Sequence, residues 1–272
     1  MPTELNHSIG LPLTLSREAG SLACPGVECS TLFLPHPLSA AGTPSPAPAQ
    51  RLRCSPILAE PAPGSEWAPD PEAVLIVLRP TVVIASGNPH KVTEIATMLA
   101  LAGVEVCGQP RDLEIEETGS TYAANARLKA ETVARITGCW ALGDDSGLEV
   151  DALDGRPGLY SARYAPSDPE KIHRLLKELG DSLYRGASFT TAMALADPGG
   201  RTVEEACGVC RGSILREPHG SGAGYDPIFH VREAGTSYAL MGEHLRTRLG
   251  SRGKAARALA PGLRRRLGLG SP

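Results

Sequence analysis

The sequence predicts an α/β protein, and two stretches carry that prediction. The first is a strand–turn–helix unit. Thr81, Val82, Val83 and Ile84 are all β-branched and form a short apolar run bounded by Ser86, Gly87, Asn88 and Pro89. That is the pattern of a strand covered on both faces. Val92, Ile95, Met98, Leu99 and Ala102 then recur at helical spacing, and Gly103 supplies a stop. The second is a pair of strand-like runs, Phe189–Ala196 and Val203–Leu215, joined by Asp197-Pro198-Gly199-Gly200. That turn chemistry predicts an antiparallel hairpin.

Composition divides the 272 residues into one folded domain, 74–272, and an extension, 1–73. Residues 1–70 hold 12 of the 24 prolines, and segments such as PHPLSAAGTPSPAPA cannot bury enough apolar surface to offset their ordering entropy. A disordered extension is expected there. Residues 1–70 carry 3 Lys+Arg and 6 Asp+Glu, leaving 24 of each in residues 71–272, so the formal charge of −3 belongs to that N-terminal stretch. A neutral domain argues against a broad nucleic-acid surface. No basic n-region with an apolar core opens the chain, and no run of about 18 apolar residues occurs, so neither a signal peptide nor a membrane span is expected. Of the seven cysteines only Cys207-Gly-Val-Cys210 has suggestive spacing, without a second pair to complete a zinc site. The cysteines read as reduced and structural, which suits the cytoplasm.

Taken in order, the turn after the first strand feeds a helix N-terminus, where backbone N–H groups and the positive dipole end meet Ser86, Asn88 and Lys91. This reads as a phosphate site. Leu113–Gly119 (LEIEETG) reads as a strand end followed by adjacent carboxylates, Glu116 and Glu117, and Ser120–Ile136 as a helix with an alanine-rich face. Cys139–Leu148 reads as a short strand ending in Gly143-Asp144-Asp145-Ser146-Gly147. Paired carboxylates at strand ends suit a hard divalent cation such as Mg²⁺, which takes one or two protein carboxylates and fills its shell with water and phosphate oxygens. Taken alone, the Glu pair reads better as a solvated loop, and Asp144-Asp145-Ser146-Gly147 can also be a plain Asx-turn. Ser167 and Glu170 form a capping box for a helix with an Ile172, Leu175, Leu176, Leu179 stripe. Gly220–Phe229 is a glycine-rich loop in which Tyr225 and Asp226 can face a ligand. Leu240–Leu267 reads as helical, broken near Pro261.

The blocks SGNPHK (86–91), EETG (116–119), DDSGLEVDALDGRPGLYSARYA (144–165), REP…GYDPIF (216–229) and SRGKA (251–255) resemble the inosine triphosphate pyrophosphatase, or Ham1-like, family over roughly 80–265. The resemblance implies an α/β fold with a mixed central sheet, flanking helices and two lobes around a long cleft, usually a homodimer. It implies Mg²⁺-dependent hydrolysis of deaminated purine nucleoside triphosphates (dITP, ITP, XTP) to monophosphate and pyrophosphate. Asp145 and Lys91 are then catalytic, Asp145 as general base. Glu116, Glu117, Asp144 and Asp145 supply the metal ligands, with the choice inside each pair open. Ser86, Gly87, Asn88, Pro89, His90, Lys91 and Ser146 bind substrate together with Ala223, Gly224, Tyr225, Asp226, Arg246, Ser251 and Arg252. The departures fall in the base-reading half: Ala223 stands where the family has an aromatic, Ser251 where it has histidine, and Arg246 where it has lysine. Two other readings follow from them. One is a pyrophosphatase of relaxed or different base preference, as in the Maf-like enzymes, and the other is a nucleotide-binding protein with little turnover.

Overall fold

In the computed structural model the described residues are 80–100 and 102–269. The expected disordered extension, 1–73, lies outside them, as do the first and last few residues of the expected domain. Strand β1 (Thr81–Ala85) is buried from Val82 to Ala85, as its β-branched run predicts. It leads through the polar turn into α1 (Pro89–Ala100), whose Ile95, Met98 and Leu99 are buried. β2 (Glu105–Gly108), α2 (Tyr122–Thr137) and β3 (Trp140–Val150) follow. After α3 (Asp168–Leu179) come the hairpin β4 (Gly186–Ala196) and β5 (Thr202–Ile214), the short β6 (Phe229–Val231) and β7 (Thr236–Ser237), then α4 (Glu243–Leu249) and α5 (Ser251–Arg266).

The seven strands form one sheet in the order β2-β1-β3-β4-β5-β6-β7. β1 pairs in parallel with both β2 and β3, and every later pairing is antiparallel. The sheet is therefore mixed. At its parallel end one core lies between the sheet and α1 and α5, around Ile84, Leu99, Leu142 and Leu259. The opposite face packs on the small side chains of α2 (Ala126, Ala130, Val133, Ala134). A separate core at the other end gathers Leu148, Leu175, Ile228 and Phe229. These two ends are the lobes, and a cavity of about 480 Å³ opens between them.

The hairpin and the α3 cap form as expected. Asp197 Oδ1 accepts from the amides of Gly199 and Arg201, and Ser167 Oγ accepts from the Glu170 amide while donating to its carboxylate. Four expectations are corrected. Residues 113–119 make no strand. Leu113 and Ile115 pack on the α2 face instead, and the Gly119 amide is held by Asn125 Oδ1 at 2.7 Å. The DDSG segment is not a turn at a strand end but the middle of β3, because β4 pairs with it residue by residue from Ala141 to Val150. The C-terminal helix runs through Pro261, held by its buried Ala255, Ala256, Leu259 and Leu263, and the break falls at Gly250. Cys139, half-buried at the entrance to β3, is in a disulfide, whereas Cys207 and Cys210 are free thiols.

Gly143 shows why α2 can lie so close to the sheet. A Cβ there would run into the carbonyl oxygen of Ala126 and approach the Ala130 amide at 2.9 Å, both of them backbone atoms that cannot swing away. Gly143→Ala should therefore destabilise the fold by about 1–3 kcal/mol. Thermal melting should show a loss of roughly 2–10 °C; an unchanged midpoint would mean that α2 is not held against β3 there.

Candidate active site

β1 stops at Ala85, which is level with Gly143 of β3. From Asp144 onward β3 continues without β1 beside it, and the turn 86–88 lies across that opening. The carboxylates of the DDSG segment thus meet the phosphate-type turn where one strand ends and its neighbour goes on. Strand alternation then separates the pair, since successive side chains point to opposite faces. Asp144 and Ser146 face α1 and α5, while Asp145 faces α2. The two aspartates thus take different partners, Asp144 from α1 and α5 and Asp145 from α2.

On the first face Asp144 is fully buried between two cations. Arg252 Nε and Nη2 reach its oxygens at 3.1 and 3.2 Å, and Lys91 Nζ lies 3.1 Å away. Burial alone would raise this carboxyl, but Arg252 and Lys91 outweigh it and hold it well below the usual carboxylate range. Arg252 also donates to Glu94 at 2.6 Å and to Ser146 Oγ at 3.3 Å. Ser146, Thr191 and Ser251 form a hydroxyl chain with spacings of 3.0 and 2.8 Å.

On the second face Asp145 Oδ2 accepts from Asn125 at 3.0 Å, and its Oδ1 lies 3.3 Å from Lys129 Nζ. The same ammonium is 2.8 Å from Glu117. Two carboxylates therefore converge on one cation-sized point, now held by a buried lysine. Burial pushes the Asp145 carboxyl up and prevails over Lys129 and Asn125. At Glu117 burial acts the same way, but Lys129, with Lys91 and Arg163 further off, brings it below its ordinary value. Glu116 is exposed, and no group of three or more potential metal-ligating side chains occurs among the described residues. Of the four expected metal ligands the structure brings together Glu117 and Asp145, and it places Asp144 and Glu116 elsewhere.

Of the expected substrate residues, Asn88, His90, Lys91, Ser146, Ala223, Gly224, Tyr225, Asp226, Arg246, Ser251 and Arg252 line the cleft. Ser86, Gly87 and Pro89 do not; Ser86 Oγ accepts from the Asn88 amide, and Asn88 Oδ1 caps α1 at His90. Tyr225 is buried with its hydroxyl donating to the Ser161 carbonyl, so the OH is already engaged within the protein. Burial pushes Asp226 up to about 6 against the opposing pull of Arg246, 3.3 Å away. Arg246 in turn lies over the Tyr238 ring, 5.0 Å from its centroid.

Sequence reasoning missed Lys129, Asn125, Glu94, Phe189 and Tyr238. The last two are aromatic walls of the cleft, 5.9 Å apart. Asn125 and Lys129 carried a readable signal. They stand at i and i+4 beside the alanine stripe of α2, and a buried lysine needs a partner.

A mixed-sheet α/β protein with Lys91 on the first turn of a helix, a carboxylate–lysine cluster and a cleft between two lobes has the make-up of a phosphate-handling nucleotide protein. The Ham1 family matches residues 82–262, and the chain belongs to that family. A dITP/XTP pyrophosphatase of Nostoc sp. is 50% identical over 181 residues, covering 66% of this chain and 92% of the relative. One from Synechococcus sp. is 49% identical over 187 residues, 68% of this chain and 91% of its own. Among solved structures, a HAM1 protein from Coxiella burnetii superposes with a TM-score of 0.63 at 36% identity, covering 68% of this chain and 99% of that one. The Staphylococcus aureus Ham1 protein gives 0.62 at 35%, with the same coverage.

Proposed function

We propose that this chain hydrolyses deaminated purine nucleoside triphosphates (dITP, ITP and XTP) to the monophosphate and pyrophosphate, removing them from the nucleotide pool. The observation that carries the reading is the convergence of Glu117 and Asp145 on one cation position beside the Lys91 turn. Half-identity to dITP/XTP pyrophosphatases over about nine-tenths of their length supports it.

Two carboxylates on one point suit Mg²⁺, which takes one or two protein carboxylates and fills its shell with water and phosphate oxygens. Glu117 and Asp145 would hold the ion, which supplies charge neutralisation on the phosphates. Lys129 would then keep the two carboxylates oriented from the α2 side. Lys91, on the first turn of α1, neutralises charge building on the phosphate oxygens, where most phosphoryl-transfer catalysis arises. Asp145, fixed by Asn125, accepts the proton of the attacking water. One water adds across the α–β anhydride and pyrophosphate leaves. The base enters the far half of the cleft, where Phe189 and Tyr238 supply aromatic surface despite Ala223. A homodimer, as the resemblance implies, and a cytoplasmic setting, which rests on the free thiols Cys207 and Cys210 alone, complete the reading. No helix among the described residues is long and apolar enough to cross a membrane.

The test is pyrophosphate release with Mg²⁺, comparing dITP and XTP with dATP, dGTP and dCTP. Preference for the first two by at least about tenfold in kcat/KM is expected, the range that a few base contacts supply. Equal rates with all five would favour relaxed base preference through Ala223 and Ser251, and no release with any would favour a binding protein.

A further inference from the structure

We propose that Asp168 is a positioning residue for the nucleotide: by holding the Gly224 amide it fixes the glycine-rich loop that walls the base end of the cleft. This rests on the nucleotide reading above and adds a residue that does not itself touch the cleft. The loop leaves β5 at Ile214 and re-enters regular structure at a 3-10 turn, Asp226–Ile228. Gly220 and Gly224 both have positive φ (84° and 56°), so the loop has little conformational preference of its own. Residues 220–223 are exposed. Backbone bonds bracket the segment at His219 N to Pro227 O (2.8 Å) and Asp226 N to Ala223 O (3.2 Å).

Inside that bracket the Gly224 amide donates to Asp168 Oδ2 at 2.7 Å, tying the loop to an element 56 residues away. Asp168 is the first residue of α3, and α3 is anchored in the core by Leu175 and Leu179. The other carboxylate oxygen takes Lys171 Nζ at 2.9 Å, and Lys171 itself lines the cleft. The Gly224 bond, with Lys171 behind it, holds the Asp168 carboxyl below its ordinary value, so the acceptor stays charged at neutral pH and the bond is charge-assisted. Ala223, Gly224, Tyr225 and Asp226 all line the cleft, so displacement of Gly224 moves the wall against which a base rests. Asp168 touches neither Asp145 nor Lys91, and its influence falls on binding rather than on the chemical step.

The experiment compares wild type, Asp168→Ala and Asp168→Asn by calorimetric Kd for inosine triphosphate and by steady-state kinetics, with melting as a control. Asp168→Ala should raise Kd and KM by about tenfold, the scale of one charge-assisted hydrogen bond, with kcat within about twofold. Asp168→Asn keeps an acceptor for the amide and should recover most of the affinity. Unmoved Kd and KM in the alanine variant, a loss confined to kcat, or failure of asparagine to rescue would each overturn the proposal. If wild type binds inosine triphosphate without hydrolysing it, the hydrolase reading falls while the Kd ratio still tests Asp168. If wild type binds none, both fall.

Discussion

Asp145→Asn should abolish turnover while leaving nucleotide binding measurable. The substitution is close to isosteric, and the asparagine oxygen can still accept from Asn125, so the segment should hold its place in β3. Lys129 keeps Glu117 at 2.8 Å and is not stranded. What is lost is a carboxylate able to take the proton of water, together with one of the two charges facing the cation position. A general base contributes typically about 10²–10⁴-fold, and a fall in kcat of about 10³ or more is expected, with Kd within a few-fold of wild type. The residues that line the cleft, from Lys91 to Arg252, are untouched by the change. Calorimetry and pyrophosphate release on the same preparation separate the outcomes. Parallel loss of binding would make Asp145 a binding residue, and turnover within tenfold of wild type would remove it from the mechanism.

What the sequence made legible and what it hid divide by range. The β1–α1 unit, the hairpin turn at Asp197 and the α3 cap are specified within a few neighbouring residues, and each forms where its local chemistry places it. The DDSG segment has the composition of a turn, yet it is strand. Ten consecutive pairings with β4, a strand some 40 residues further on, override its local preference. The site shows the same division. Residue types were readable, and Ser86–Lys91, Glu116–Glu117 and Asp144–Asp145 all stood out. Their division of labour was not, because it depends on strand alternation and on partners from afar. Lys129 sits between Glu117 and Asp145, and Arg252 reaches Asp144 across 108 residues. The cleft departures at Ala223 and Ser251 were readable, but not that Phe189 and Tyr238 furnish other aromatic surface. Those come from β4 and the segment after β7, which only the folded sheet brings together.

The cluster around Asp144 carries the largest expected effect on stability. Its side chain is fully buried, and Arg252, Glu94 and Lys91 join β3 to α5 and α1 through it. Removing one partner of a buried pair leaves an uncompensated charge and costs about 3–5 kcal/mol. Arg252→Met should fall toward the lower figure, since Lys91 remains 3.1 Å away. A drop of about 6–12 °C in melting temperature follows. The pH dependence has a definite sign. The folded carboxyl of Asp144 lies below its unfolded value of about 3.9, so its stabilisation is fully present above that pH and is lost as pH falls toward the folded value. Without Arg252 the folded value moves back up, so less of this acid-sensitive stabilisation should remain to be lost below about pH 4. Replacing both partners, Arg252→Met with Asp144→Leu, removes the stranded charge and should recover part of the loss, a non-additivity expected of residues in direct contact. If Arg252→Met melts with wild type, or if the double variant loses the full sum of the single losses, the pair does not hold the cleft together. The same guanidinium would then be free to serve the nucleotide alone.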